Sequence, residues 1–360
     1  MKTVASTGAL TASDDVTEPS DFPETPEPSF RHLRRMSDDT GLFEHAHRAM
    51  PLREHGYCVD DVARGLLVVC REPDPDGKLT DLAETYLSFL AHAQGDDGSF
   101  HNRMGLDRVW HDEPGLGDWW GHSLWGLGTA AARGPEPWIR ENALAYFDAG
   151  VLLRAPWTRS MAFAALGAAE VLAVRPDHAA ARELLTDTVK MIGGPRPDPV
   201  WPWPEPRLRY GNASVAEVLI AAGDLLRDPV LLEDGLQLLG WLLDSETNGG
   251  HLSLTPVGGW QVGEARPGFD QQPIEAAAMA DACARAFDLT WDPRWAGGVR
   301  LSVEWFLGGN DAGVPLRDEQ TGGGHDGLHP HSRNENQGAE STLALISTLQ
   351  HGRLFARKTQ

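Results

Sequence analysis

Gly56-Tyr57-Cys58-Val59-Asp60-Asp61-Val62-Ala63-Arg64 sets two adjacent carboxylates at the head of an apolar helical run. The same design recurs downstream, where polar or acidic residues, often behind a glycine, feed directly into an apolar helix. It is read at Gly117-Asp118-Trp119-Trp120-Gly121-His122, at Tyr210-Gly211-Asn212-Ala213-Ser214, at Gly268-Phe269-Asp270-Gln271-Gln272-Pro273 and at Asn334-Glu335-Asn336-Gln337-Gly338-Ala339-Glu340. A weaker copy is Pro156-Trp157-Thr158-Arg159-Ser160. Six helix starts spaced roughly 40 to 65 residues apart approach the period of stacked helix pairs. If the six helices form a ring, their polar starts converge on one mouth.

Working outward, apolar residues at three- and four-residue spacing predict helices over 58–71, 79–94, 118–132, 137–152, 158–174, 178–193, 212–226, 229–244, 272–288, 293–308 and 337–350. With a helical pattern that begins at Phe30 and breaks at the turn Ser37-Asp38-Asp39-Thr40-Gly41, these make six pairs. Alternate helices are rich in Ala and Gly, as in Met161-Ala162-Phe163-Ala164-Ala165-Leu166-Gly167, which suits an inner ring buried on all sides. Short strand-like pieces predict rim hairpins pairing 99–103 with 108–111 and 251–254 with 259–262. Residues 1–27 are rich in Pro, Ser, Thr, Asp and Glu, and are expected to be a disordered or extended tail ahead of a single domain over 28–360.

Composition narrows the function. The chain has 360 residues, 41% of them hydrophobic, enough for a sizeable core. A formal net charge of -21 without a basic cluster argues against nucleic acid and against an anionic membrane surface as partners. No apolar run reaches the roughly 18 residues of a membrane span, and the first residues carry no apolar signal core, so a cytoplasmic protein is expected. The three cysteines, Cys58, Cys70 and Cys283, show no metal spacing. His325, His329 and His331 lie in a Gly- and Pro-rich segment without a second ligand cluster, so no metal is expected. Gly126-Leu127-Gly128 lies inside a helix and follows no strand, so it is not a dinucleotide loop. Thirteen tryptophans stand against four tyrosines, and the flat indole suits the apolar face of a sugar ring.

The residues His55 to Arg64, Trp203 to Glu217, Phe269-Asp270-Gln271-Gln272-Pro273-Ile274-Glu275-Ala276 and Gln337-Gly338-Ala339-Glu340-Ser341-Thr342 carry a resemblance to the six-hairpin, (α/α)6-toroid glycosidase-like proteins. Within these, the chain is most similar to bacterial proteins associated with glycosyltransferases and sugar metabolism. The resemblance spans about residues 30 to 350. It implies an all-α (α/α)6 toroid with short rim β-hairpins and a glycoside hydrolase acting on an oligosaccharide, without a cofactor. Two other classes stay open: a sugar epimerase or isomerase using His122 and His325, and a non-catalytic glycan-binding partner of a glycosyltransferase. Two positions depart from the family pattern. Trp119-Trp120 follows a single Asp118 where an acidic pair is expected, and Gly211 stands in place of an Asp.

Glycoside hydrolysis needs two carboxyl groups with different proton affinities. Glu340 lies a turn into an apolar helix and is expected to be desolvated and to act as general acid. The base is expected among Asp60, Asp61 and Asp270, kept ionised at helix starts. Asp118, Glu275 and Glu335 are further candidate carboxylates. Trp119, Trp120 and Trp203 are expected to stack on sugar rings. Tyr57, Arg64, Asp118, His122, Tyr210, Asn212, Gln271, Gln272, Glu335, Asn336, His325 and Asp326 complete the expected substrate-binding set.

Overall fold

The computed structural model describes residues 25–358 and contains twelve α-helices among them. Six form an inner ring: α2 (Val59–Cys70), α4 (Asp118–Arg133), α6 (Thr158–Val174), α8 (Asn212–Leu225), α10 (Pro273–Thr290) and α12 (Ala339–Lys358). Each packs on the next, and α12 closes on α2. Five outer helices return the chain between them: α3 (Gly77–Ala93), α5 (Pro137–Gly150), α7 (Ala179–Ile192), α9 (Pro229–Ser245) and α11 (Pro293–Leu307). The sixth outer element is the short α1 (Arg31–Arg35), followed by the expected turn, where Asp38 accepts from Thr40 and Gly41 N–H. The fold is the all-α (α/α)6 toroid that the helical spacing predicts.

Composition explains the two rings. The inner helices bury nearly every face, and α6 is buried from Arg159 through Leu172. Ala and Gly let them approach closely. A side chain on Gly167 would collide with the Leu124 carbonyl of α4, so the glycines of Gly126-Leu127-Gly128 and its neighbours serve helix packing. The outer helices are amphipathic, and α3, α7, α9 and α11 are each capped by a side chain: Asp76, His178, Asp228 and Asp292. The inner helices α2, α4, α6, α8 and α10 have no such cap. The first N–H of α2 is met instead by a backbone carbonyl, Val59 N–H donating to Asn102 O at 2.9 Å.

The first rim hairpin forms in part, with His111 N–H donating to Arg103 O and Gly105 N–H to Val109 O. The second is paired differently from the expectation. Thr247–Asn248 pairs with His251–Leu252, because Gly249 and Gly250 both take positive φ, 58° and 87°, and turn the chain in two residues. Trp260–Gln261 pairs instead with Arg207–Leu208. Of the tail expected over 1–27, residues 1–24 lie outside the described residues; Glu27 pairs with Arg353 of α12 at 3.2 Å. No helix among the described residues is long and apolar enough to cross a membrane.

The channel inside the ring has a floor. Asp281 of α10 accepts from Arg71 Nη1 at 2.6 Å and meets His351 Nε2 at 2.5 Å. Arg71 lies over the Trp125 ring, 5.6 Å from its centroid. Burial opposes ionisation of Asp281, yet Arg71 and His351 outweigh it and hold the carboxyl well below its ordinary range. Beyond the floor lies a separate charged pocket, where Glu217 accepts from Arg285 at 2.9 Å.

Candidate active site

The site is built on the first turn of α2. Asp60, Asp61 and Arg64 fall on neighbouring faces three and four residues apart, so one guanidinium reaches both carboxylates. Arg64 Nη2 stands 3.0 Å from Asp60 and 2.8 Å from Asp61. Arg64 Nη1 donates to Glu340 of α12 at 2.8 Å, tying the last inner helix to the first. Asp60, Asp61, Arg64 and Glu340 line one polar cleft with Gln272 and Asp326. Asp326 accepts from Gly338 N–H at 2.7 Å, just before α12 begins.

The two aspartates differ in environment. The Asp61 side chain is 4% exposed and that of Asp60 24%. Burial pushes the Asp61 carboxyl well up, and Asp60 and Glu340 add repulsion that Arg64 does not cancel. For Asp60, burial acts in the same direction, but Arg64 and His122 outweigh it and hold the carboxyl down. The two carboxyls on this single arginine therefore differ in proton affinity, Asp61 holding a proton more tightly than Asp60.

Behind Arg64 the cleft opens into an apolar cavity walled by Leu67, Val68, Trp125, Phe163, Ile274 and Leu343. His122 of α4 faces it, buried, stacked on Phe163 at 3.9 Å between centroids, with Nε2 3.6 Å from Asp60 Oδ1. Burial lowers its pKa despite Asp60, which leaves a neutral imidazole. Its Nδ1 is buried without a hydrogen-bond partner.

A second cleft lies between the starts of α4 and α6. Asp118 accepts from Ser160 Oγ at 2.7 Å and from the Tyr210 hydroxyl. Arg159, Glu205, Trp119 and Trp157 line the same cleft. Trp119 is half-buried and its indole donates to Phe100 O at 2.7 Å.

Other expected site residues lie elsewhere. Glu340 is not enclosed: α12 begins at the rim, and its side chain is 42% exposed. Asp270 neither caps α10 nor enters the cleft; it swings outward to His329, at 2.8 Å, with its side chain 49% exposed. Trp120 and Trp203 are fully buried and offer no face to a sugar. Tyr57 is a core residue, stacked on Phe43 and donating to Asp38 at 2.7 Å; burial pushes its phenol up to about 12. Asn212 accepts from Arg159 and from Arg209 N–H, and Gln271 bridges Asp311 and Trp305, so both are held by the scaffold. Glu335 pairs with Arg333, and Asn336 accepts from Arg48 N–H, both outside the cleft. His325 is buried beside the 316–317 segment, away from His122, with neither ring nitrogen hydrogen-bonded.

Several site residues escaped sequence reasoning. Glu44 and Arg103 form an ion pair on the wall of the main cleft, assembled from distant loops without a local motif. Arg103 on Glu44 and Arg64 on Asp61 already place cations beside the trio Glu44, Cys58 and Asp61, so we assign that trio no metal. Trp157 lies in the weak sixth copy of the helix-start pattern, which was the available signal. Glu275, one of the expected candidate carboxylates, instead accepts N–H groups of Gly211 and Asn212, at 2.6 and 3.4 Å, and so caps α8 from the neighbouring helix. Burial, aided by Glu246, raises it to about 8. Position 211 thus contributes its backbone N–H here.

The chain matches no protein-family model and no curated protein. Solved structures do match it. A cellobiose 2-epimerase from Bacillus thermoamylovorans aligns with TM-score 0.68 at 8% identity, over 92% of this chain and 96% of its own. A D-mannose isomerase aligns with TM-score 0.66 at 11% identity, over 91% and 95%. A family 76 α-mannanase from Bacteroides thetaiotaomicron aligns with TM-score 0.61 at 11% identity, over 91% and 94%. The chain has the six-hairpin glycosidase-like toroid fold shared by these sugar-processing enzymes.

Proposed function

We propose that the protein is a glycoside hydrolase acting on an oligosaccharide at the cleft around Asp60 and Asp61. The observation that carries this reading is that one arginine, Arg64, holds two carboxyls of unlike exposure in one open cleft. Asp61, the carboxyl whose proton affinity burial raises, gives its proton to the leaving glycosidic oxygen. Asp60, kept ionised, attacks the anomeric carbon as the bond to that oxygen breaks. Water then adds to the glycosyl ester, giving its proton to Asp61 and releasing Asp60. Both carboxyls lie within 3.0 Å of one nitrogen, so their oxygens are no more than about 6 Å apart, close to the short separation of retaining enzymes. Arg64 and Glu340 keep the pair in register, and His122 backs Asp60.

A second reading has its own observation: a buried neutral imidazole with a free Nδ1 faces the cavity beside an ionised Asp60. That arrangement suits proton shuttling in an epimerase or isomerase. A link to a glycosyltransferase partner is a further proposal, resting on the sequence resemblance alone. One experiment separates the readings. The protein is incubated with a panel of mono- and oligosaccharides and followed by proton NMR. New reducing ends, first appearing in the anomeric configuration of the substrate, support hydrolysis with retention. An isomer without cleavage supports the second reading, and shifts without products leave a binding protein.

A further inference from the structure

We infer that the cleft between the starts of α4 and α6 is a distal glycosyl subsite, with Trp157 as the platform for a second sugar ring. This rests on the reading of the mouth as a sugar site and extends it to a substrate of more than one unit.

Three observations carry it. Trp157 sits immediately before α6 and is 58% exposed, whereas Trp120 and Trp203 are fully buried. Its indole therefore presents an uncovered face to the cleft that Asp118, Arg159, Glu205 and Tyr210 share. Arg159 is only 4% exposed and is held by Glu205 at 2.8 Å, by Asn212 at 3.1 Å and by Tyr210 O at 2.6 Å, yet its Nη1 has no partner. A buried guanidinium nitrogen fixed by three contacts and left unpaired is a donor waiting for an acceptor. The carboxylates beside it are engaged: Asp118 by Ser160 and Tyr210, Glu205 by Arg159. The cleft thus offers an apolar plate and a positioned donor, the pairing that recognises a sugar ring by its C–H face and one hydroxyl or ring oxygen.

A pocket lined by Arg209, Tyr210, Gln272 and Glu275 shares Arg209 and Tyr210 with this cleft and Gln272 with the cleft of Asp60 and Asp61. Asp118 and His122 stand one helical turn apart, about 5 to 6 Å along α4, and His122 reaches Asp60. Tyr210 lines the outer cleft while its neighbour Gly211 lines the cavity. A second ring linked to the one at Asp60 and Asp61 has a path to Trp157.

The test uses the full chain with Asp61→Asn to prevent turnover, and gluco-, manno- and xylo-oligosaccharides of one to four units as ligands in titration calorimetry. Affinity is expected to rise about tenfold once a unit reaches the subsite, as stacking contributes about 1.4 kcal/mol. Trp157→Ala is expected to abolish that increment and spare the shortest ligand, while Trp157→Phe restores part of it. Equal length dependence in Trp157→Ala, absence of length dependence, or absence of any binding overturns the subsite. Hydrolysis without length dependence removes the subsite and keeps the hydrolase; length-dependent binding by a protein that never cleaves keeps the subsite and removes the hydrolase.

Discussion

His122 Nε2 stands 3.6 Å from Asp60 Oδ1, too far for a hydrogen bond and close enough to bias its charge. The hydrolase reading makes His122 a positioning residue. His122→Gln is expected to lower hydrolysis by less than about tenfold. Initial rates on one oligosaccharide decide it. A loss that equals that of Asp61→Asn would move the chemistry to the imidazole.

Asp61 and Glu340 share Arg64 but not their surroundings. Asp61→Asn is expected to cut turnover of substrates with poor leaving groups by about 100-fold or more. Substrates with activated leaving groups suffer less, since their departing oxygen needs little protonation. Glu340→Gln, at the more exposed carboxyl, is expected to cost less on both. Rates on the two substrate types check this, and a larger loss in Glu340→Gln would return the acid role to α12.

Trp120 and Trp203 are fully enclosed. Replacing either with Ala is expected to cost about 3 to 5 kcal/mol of stability through lost burial and a cavity. Urea denaturation measures it. Unchanged stability with weakened sugar binding would place the indole at the rim.

Glu275 is raised to about 8 in the fold, above its ordinary value of 4.5. The folded state then holds a proton that the unfolded chain has released. This contribution is present at low pH and is lost as pH rises from about 5 toward 8. Its size is on the order of a few kcal/mol. Glu275→Gln is expected to flatten the decline in urea midpoint between about pH 5.5 and 8.5. An unaltered slope would show that Glu275 does not carry it.

The helical ring was legible because its signal is local. Glycine or a polar cluster followed by small apolar residues at helical spacing marked the inner helices, and α4, α6 and α8 begin at the expected 118, 158 and 212. The orientation of side chains at those starts was less legible. Trp119 and Trp120 are consecutive, so they point about 100° apart around the helix. Which one enters the core depends on where α4 sits against α6, and the sequence carries no mark of that. Glu340 shows the same limit: an apolar helix follows it, but its own position is decided by α12 beginning at the rim. Glu44 and Arg103 reach the cleft only after two distant loops have folded over α2.

The contact of Asp281 with Arg71 and His351 makes the ring a blind well rather than a tunnel. Whatever enters at the mouth leaves by the mouth. Under the proposed hydrolase reading, a long chain presents one terminus, is shortened and withdraws before the next event. On that reading, products accumulate from many chains at once, with the average length falling slowly.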